Sequence, residues 1–227
     1  MNKSLLPVLL VAGLAGCAAS PDLPSTYTLD SNRPEGLAIV SLTLSGKALD
    51  KVTDYEYRIR EVLPRGEAYA VVSQHYASAR QHARSVQNEG KERPFTHSVV
   101  VKGLSNADAL DIRDAGKATG RLAVLRLLPG EYEFHTWQVR EPSPYGATEY
   151  RPAREFVYRF SIKPGEATYI GRLNLHLGSG NTERITANDR QAEDMSLLGQ
   201  KYPAIRAAKI VAAVGILQPS GIDSARL

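Results

Sequence analysis

The chain has few residues of the types that bind metals or act as nucleophiles, namely five histidines and a single cysteine. His75 and His82 are seven residues apart, so on a helix they would lie about 10 Å apart along the axis, too far to share a metal ion. His135 and His176 fall on the polar faces of two predicted strands and would meet only if those strands were neighbours. The sequence therefore predicts no metal site. Because Cys17 is alone, it has no partner for an internal disulfide.

Four carboxylates gather towards the C-terminal end: Glu183, Asp189, Glu193 and Asp194. A pair of carboxylates across a cleft would suit acid–base hydrolysis. Helix capping and interaction with the helix dipole explain Asp189 and Glu193 more simply. The sequence contains no nucleophile elbow, phosphate loop or dinucleotide fingerprint. We therefore predict a protein that is not an enzyme and needs no cofactor, with a hydrolase of envelope material as the alternative.

The first residues indicate the cell envelope. Met1-Asn2-Lys3 is a short positive start, an apolar run continues to Leu14, and small residues precede Cys17, which is the arrangement of a secretory signal peptide. The apolar run is shorter than the roughly 20 residues that a membrane-spanning helix needs. Leu14-Ala15-Gly16-Cys17 resembles the lipobox of bacterial lipoproteins. That resemblance implies that the Cys17 thiol receives a diacylglyceryl group, that cleavage occurs just before it, and that the new amino group is acylated.

The localisation follows from the same resemblance, and the segment boundaries follow from it together with composition and periodicity. Ala18 and Ala19 come next, with no aspartate, which resembles the outer-membrane default of Gram-negative lipoproteins facing the periplasm. We predict a signal peptide over 1–16, a lipidated flexible tether over 17–35 that is rich in proline and serine, and one β domain with a C-terminal helical extension over 36–227. The net charge of +4 falls to +3 without Lys3. That charge is too small and too dispersed to indicate a nucleic-acid partner.

The body of the chain shows the period of β-strands. In Asp54–Arg60, Tyr55, Tyr57 and Ile59 share one face and charged residues take the other, as in an antiparallel strand with one solvated side. Phe156–Ile162 alternates in the same way. Within Glu131–Val139, we expect Tyr132, Phe134 and Thr136 to share a face. The remaining predicted strands are 36–44, 69–73, 98–102, 121–128 and 168–177.

Two Pro-Gly pairs mark tight connections between predicted strands. Pro129-Gly130 and Pro164-Gly165 each fit a type II-like turn, in which proline fixes the second position and glycine supplies a positive φ at the third. Each is therefore predicted to close a hairpin.

Three short helices interrupt the strand pattern. Apolar residues at helical spacing predict a helix over 74–86. A second is predicted from Ser105, as its N-cap, to Gly116. A third is capped by Asn188 and stopped at Gly199. The alanine-rich run 207–217 fits either a strand or a helix.

These elements predict a mainly β protein, an antiparallel β-sandwich of Greek-key or transthyretin-like type with a few short peripheral helices. Leu127–Tyr132 and Lys163–Gly171 resemble motifs of prealbumin-like or carboxypeptidase-regulatory-like sandwich domains in uncharacterised proteobacterial lipoproteins. Asp194–Pro203 is similar to the tail of those proteins. The resemblance implies an envelope lipoprotein with an accessory role, and it transfers no catalytic residue.

One segment outside the alternating strands suggests recognition. Glu141–Arg154 is predicted to be a loop that contains three prolines, Tyr145 and Tyr150, with Trp137 at its approach. Tyrosine, tryptophan and arginine are enriched in binding hot spots. We expect Trp137, Tyr145 and Tyr150 to bind an envelope protein or glycan, although a solvated sheet face with a long hairpin explains the same residues. The predicted function is a non-enzymatic binding or structural module held to the membrane through Cys17. An accessory subunit of a secretion or assembly machine is the other alternative.

Overall fold

The computed structural model describes residues 23–29, 35–47, 51–62, 96–102, 110–114, 118–178, 183–206 and 210–219. The predicted signal peptide, Cys17, the predicted strand 69–73 and the predicted helix 74–86 with His75 and His82 lie outside the described residues. In chain order the elements are β1 (Gly36–Ser45), β2 (Asp54–Val62), β3 (Thr96–Lys102), β4 (Ile112–Asp114), β5 (Ala118–Leu127), β6 (Gly130–Ser143), β7 (Gly146–Tyr150), β8 (Phe156–Ile162), β9 (Ala167–Leu177), β10 (Glu183–Asn188), α1 (Gln191–Lys201), α2 (Pro203–Arg206), β11 (Ile210–Ala212) and β12 (Leu217–Pro219).

The strands form two sheets that pack face to face. Sheet A has the order β12-β8-β6-β2-β3, with β7 also paired to β6. Sheet B has the order β10-β9-β1-β5-β4, with β11 also paired to β9. The described pairs of sheet A are antiparallel, whereas β9 runs parallel to both β1 and β11. The mainly β sandwich predicted from the alternating strands is confirmed, with one antiparallel and one mixed sheet.

The core between the sheets is rich in tyrosine, and two of the tyrosine hydroxyls donate hydrogen bonds across it. Tyr55 donates to the Leu42 carbonyl at 2.7 Å, and Tyr158 donates to the Ile170 carbonyl. These two tyrosines thus fill the core with their rings while their hydroxyls find backbone acceptors in the opposite sheet. The predicted inward residues of β2 and β8 are confirmed there: Tyr55, Tyr57, Ile59, Phe156, Tyr158, Phe160 and Ile162.

A second apolar cluster covers the outer face of sheet B. Leu37 and Ile39 of β1 pack there with Leu198 of α1 and Tyr27 from the N-terminal segment. Tyr27 is buried, and its hydroxyl donates to Glu35 at 3.4 Å. Residues 23–29 of the predicted tether therefore lie against sheet B. Leu23 and Leu29 are partly buried in the same cluster, on a sheet that is hydrophobic on both faces.

The two Pro-Gly connections do not close hairpins. Pro129-Gly130 leads from β5 in sheet B to β6 in sheet A, and Pro164-Gly165 leads from β8 in sheet A to β9 in sheet B. Both are tight, as predicted, and Gly165 has φ 63°. The strand after each turn does not pair with the strand before the turn: β6 does not pair with β5, and β9 does not pair with β8. The turns therefore connect the two layers.

Two predicted helices differ from the observed elements. Within the predicted 105–116 helix, Ile112–Asp114 is strand β4, because its backbone pairs with β5. Asn188 does not cap α1, since it ends β10 opposite Arg172 and is held in the sheet. Helix α1 also continues through the predicted stop at Gly199 and ends at Lys201. The next residue, Tyr202, precedes Pro203, and a residue before proline disfavours helical backbone.

The described part of the ambiguous run 207–217 contains strand at both ends, at Ile210–Ala212 and from Leu217. Ile210–Ala212 joins sheet B and Leu217–Pro219 joins sheet A, so the chain crosses between the sheets from 213 to 216. There the Gly215 N–H donates to the Tyr158 hydroxyl at 2.9 Å. A Cβ at Gly215 would lie only 2.7 Å from the Arg159 carbonyl oxygen, which explains why a glycine occupies this position. Among the described residues, the helices are too short or too polar to cross a membrane.

Candidate functional site

The C-terminal carboxylates attach a helix to a sheet. Asp194 is fully buried and accepts hydrogen bonds from the Tyr169 hydroxyl at 2.8 Å and from the Arg172 guanidinium. The same hydroxyl accepts from the Arg190 N–H at 3.1 Å. Burial raises the pKa of Tyr169, and the hydrogen bond to Asp194 raises it further. Glu193 is half exposed and pairs with Arg172 at 3.2 Å. These contacts place α1 on sheet B, which favours the structural interpretation of the cluster.

His135 and His176 are not brought together. His135 lies on β6 in sheet A, where its Nδ1 is 3.2 Å from Glu155. His176 lies on β9 in sheet B, where its Nδ1 is 3.0 Å from the Ser45 hydroxyl. Within the described ranges, no three histidines, cysteines or acidic residues form a group that could hold a metal ion.

Trp137 does not lie on the surface, so its predicted role in binding is wrong. Its side chain is 3% exposed and packs in the core between the sheets. The register of β2 against β6 shifts at this point, with Arg58 opposite Thr136 and Ile59 opposite Phe134. His135 is the extra residue of this β-bulge. Because the bulge reverses the alternation, Trp137 faces inward in place of the predicted Thr136.

The predicted loop 141–154 is largely a protruding hairpin, defined here as β6 from Glu141, the turn Pro144-Tyr145, and β7. Ser143 pairs with Gly146 across the turn. β2 pairs with β6 only as far as Arg140, so the hairpin extends past the end of β2. Tyr145 is 100% exposed at its tip. An aromatic ring held wholly in solvent on a two-residue turn confirms the exposure expected for Tyr145.

The base of the hairpin is held by contacts from both sheets. Glu141 accepts from the Tyr150 hydroxyl at 3.1 Å and from Lys47, whose ammonium lies 4.2 Å above the Tyr150 ring. Arg140 donates two hydrogen bonds to Asp54, at 2.7 and 2.8 Å. The hydrogen bond to Asp54 raises the pKa of Arg140, which stays charged. Tyr150 is thus part of the hairpin's support. No local pattern of residues indicates that Lys47, far along the chain, reaches Glu141.

The hairpin tip and the N-terminal segment lie at opposite ends of the sandwich. Gly36, at the start of β1, pairs with Leu127, just before β6 begins. β6 has 14 residues, which span about 45 Å at the rise of an antiparallel strand. Tyr145 therefore lies about one full length of the sandwich away from the start of β1.

Three arginines of sheet A and the segment after β7 are paired with carboxylates. Arg159 and Arg60 both contact Glu133, at 3.2 and 2.7 Å. Arg151 pairs with Glu149 at 3.0 Å. Each of these guanidinium groups therefore has a carboxylate partner.

A groove of about 630 Å³ runs beside α1 and is lined mostly by uncharged residues. Its wall includes Gln191, Met195, Ser196 and Gln200 from the helix and Ile210 from β11. None of the described lining residues is acidic or basic, so none of them could activate the Ser196 hydroxyl as a nucleophile.

No family model matches the chain, and no curated protein matches it. Among solved structures, the chain is similar to a leucine-rich repeat protein from Bacteroides thetaiotaomicron, with a TM-score of 0.35, 11% identity, and coverage of 65% of this chain and 14% of that one. It is also similar to a proposed cell adhesion protein from Bacteroides ovatus, with a TM-score of 0.27, 9% identity, and coverage of 69% and 44%. The chain spans less than half of either protein. At these TM-scores neither likeness bears on function.

Proposed function

We propose that this protein is a non-enzymatic binding module of the bacterial cell envelope, anchored by lipid at Cys17, and that its protruding hairpin contacts a protein partner. One observation carries the proposal: Tyr145 is fully exposed at the tip of a hairpin whose base is held by Lys47, Glu141 and Tyr150. A ring on a pre-organised hairpin needs no ordering of the backbone on binding, which lowers the entropy cost of its use as an anchor.

The proposed anchor rests on the similarity of Leu14–Cys17 to a lipobox, and Ala18-Ala19 supports the outer membrane as its location. Two or three acyl chains would give stable attachment, whereas one gives only marginal binding. Cys17 is six residues before Leu23, a stretch that spans at most about 20 Å when fully extended. Leu23 packs on the outer face of sheet B. The anchor would therefore hold the sandwich within about that distance of the bilayer.

The same geometry orients the hairpin. The Tyr27 N–H donates to the Pro24 carbonyl at 2.8 Å, so the chain turns back close to Glu35 and the start of β1. The tip lies at the other end of β6. An anchored molecule would then present Tyr145 away from its own membrane, towards partners in the periplasm.

Crosslinking in cells, followed by mass spectrometry, tests this function on the full-length protein. We expect the wild type to give defined crosslinked partners and Tyr145→Ala to lose most of them while its melting temperature stays unchanged. Tyr150→Phe is the matched control, because it removes the hydroxyl bond to Glu141 and leaves the tip ring in place. Loss of the same crosslinks in the control but not in Tyr145→Ala would overturn the proposal.

A further inference from the structure

The outer face of sheet B carries a chain of hydrogen bonds between β1 and β9 that ends at a histidine. The Thr43 hydroxyl donates to Asn174 Oδ1 at 3.0 Å, and the Asn174 amide donates to the Ser45 hydroxyl at 3.0 Å. Because Ser45 accepts that bond, its own proton is available to His176 Nδ1, which lies 3.0 Å away. The proton of the neutral His176 ring is then on Nε2. The chain of bonds therefore makes Nε2 the donor nitrogen of His176.

An arginine on the neighbouring strand lies beside that histidine. Arg184 of β10 is directly opposite His176 of β9 in the antiparallel register. Leu175 and Leu177 of β9 pack in the core between the sheets, so His176 faces outward, and Arg184 faces outward with it. Both side chains are exposed. Opposite residues of an antiparallel pair have Cβ atoms about 5 Å apart. The Nε2–H and the guanidinium can therefore donate to the same bound group.

No described carboxylate neutralises these two donors. Every arginine of sheet A pairs with a carboxylate, whereas neither Arg184 nor His176 forms an ion pair with a described acidic residue. Asn174 and Thr186, which form the next outward pair of β9 and β10, are uncharged. We call these four residues and Ser45 the outer donor patch. The patch combines positive charge with hydrogen-bond donors, which suits an anionic oxygen ligand.

The outer donor patch lies at the same end of the sandwich as the hairpin. Ser45 precedes Lys47 by two residues, which span at most about 7 Å, and Lys47 contacts Glu141 at the hairpin base. A Cβ at Gly46 would lie 2.9 Å from Cε1 of His176, so the chain between Ser45 and Lys47 packs directly on the imidazole. One side of a standard protein interface covers about 800 Å², roughly 30 Å across. A partner that contacts the hairpin can therefore extend over the end of β1 to the patch.

We propose that the outer donor patch binds an aspartate or glutamate side chain on the protein partner of the hairpin. This inference rests on the proposed function, because it names the chemistry of that partner. The planar guanidinium of Arg184 donates two parallel hydrogen bonds to the carboxylate, and the Nε2–H of His176 donates a third. Such charge-assisted hydrogen bonds are roughly twice as strong as neutral ones. A phosphate group accepts the same bonds, so the experiment has to separate the two ligands.

Photo-crosslinking in living cells tests the patch in the full-length protein. A photo-reactive amino acid at position 145 reports contact of the hairpin tip with the partner. We expect Arg184→Glu to lower the yield of protein adducts by about tenfold or more, because it places a carboxylate against that of the partner. Lys163→Glu is the matched control, since it makes the same charge change at an exposed residue on the opposite end of the sandwich. It should keep the wild-type yield.

His176 variants test the second donor in the same assay. His176→Leu removes the Nε2–H and should lower the yield of adducts from position 145. His176→Gln keeps an N–H donor and should retain most of that yield. Equal yields from the leucine and glutamine variants would show that the imidazole donates nothing to the partner and would overturn its part in the patch.

The same photo-reactive amino acid at position 186, within the patch, identifies the ligand. We expect its adducts to be protein peptides that contain aspartate or glutamate close to the crosslinked residue. Adducts to a phosphate-bearing lipid or glycan alone, or to peptides without an acidic residue, would overturn the proposal.

The outcomes separate the patch from the function of the hairpin. If position 145 gives equal adduct yields in Arg184→Glu and Lys163→Glu, the proposal fails and the function of the hairpin stands. If position 145 gives no protein adduct while position 186 gives acidic peptides, the hairpin function fails and the patch still binds a carboxylate. The absence of protein adducts from both positions overturns both.

Discussion

Replacement of Asp194 with asparagine tests how α1 is held on sheet B. The Asp194 carboxylate is fully buried between Tyr169 and Arg172, and Arg172 is itself only 11% exposed. Desolvation lowers the pKa of Arg172, but the hydrogen bond and charge of Asp194 outweigh it and leave the pKa raised. Asparagine keeps the size of the side chain and one acceptor oxygen. It leaves the guanidinium charge without its buried counter-ion.

The expected loss of stability depends on the partners that Arg172 and Tyr169 keep in the variant. Removing one member of a buried ion pair typically costs about 3–5 kcal/mol. Arg172 keeps Glu193 at 3.2 Å, but that half-exposed carboxylate contributes under about 1 kcal/mol. The asparagine oxygen still accepts from Tyr169. We expect a loss of about 2–3 kcal/mol in the free energy of unfolding, or roughly 4–12 °C in melting temperature for a domain of this size.

Thermal melting followed by circular dichroism measures the loss, and hydrogen exchange in α1 localises it. Glu193→Gln is the matched control, since an exposed neighbour should change stability by less than about 0.5 kcal/mol. Tyr169→Phe should have an intermediate effect and should not add fully to Asp194→Asn, because both changes remove the same contact. If Asp194→Asn has the same melting temperature as the Glu193→Gln control, the Asp194 carboxylate does not hold α1 on sheet B.

Three further changes have defined outcomes. Cys17→Ser should abolish labelling by a palmitate analogue, because the acyl acceptor is gone; label that persists on the variant would contradict the proposed anchor. Gly165→Val should lower the free energy of unfolding by about 1–3 kcal/mol, because a β-branched residue is strained at positive φ, and Gly165→Asn should cost less in the same melts. Burial, followed by the charge of Arg60, lowers the pKa of His135, so the folded state disfavours a proton that the unfolded chain takes up near pH 6.5. The free energy of unfolding should therefore decrease as the pH drops below about 6.5. Urea unfolding between pH 8 and pH 5 measures this decrease, which should be smaller in His135→Gln than in the wild type.

The strands of this fold were largely predictable, because alternation is a local property. Tyr55, Tyr57 and Ile59 face the core as their spacing predicts, and so does the apolar face of β8. The partners of the strands were not predictable from the turns. A Pro-Gly pair fixes a sharp reversal of the chain, but it does not determine whether the next strand joins the same sheet or the opposite one.

The candidate site was predicted only in part, also for physical reasons. Tyr145 is exposed as expected, because it lies between turn-forming residues. Trp137 is buried, since one bulge residue at His135 reverses the faces of β6 beyond it. No local pattern marks that bulge in advance. The contact of Lys47 with Glu141 and Tyr150 depends on the packing of two sheets, which spacing along the chain does not reveal.

The central claim is that the tip of the hairpin is the contact surface of the protein. A photo-crosslinking amino acid placed at position 145 of the full-length protein, in living cells, tests it most directly, with the exposed position 161 on β8 as the control. We predict discrete crosslinked species from position 145 and none from position 161. Irradiation that gives no adduct from position 145, or the same adducts from both positions, would contradict the claim.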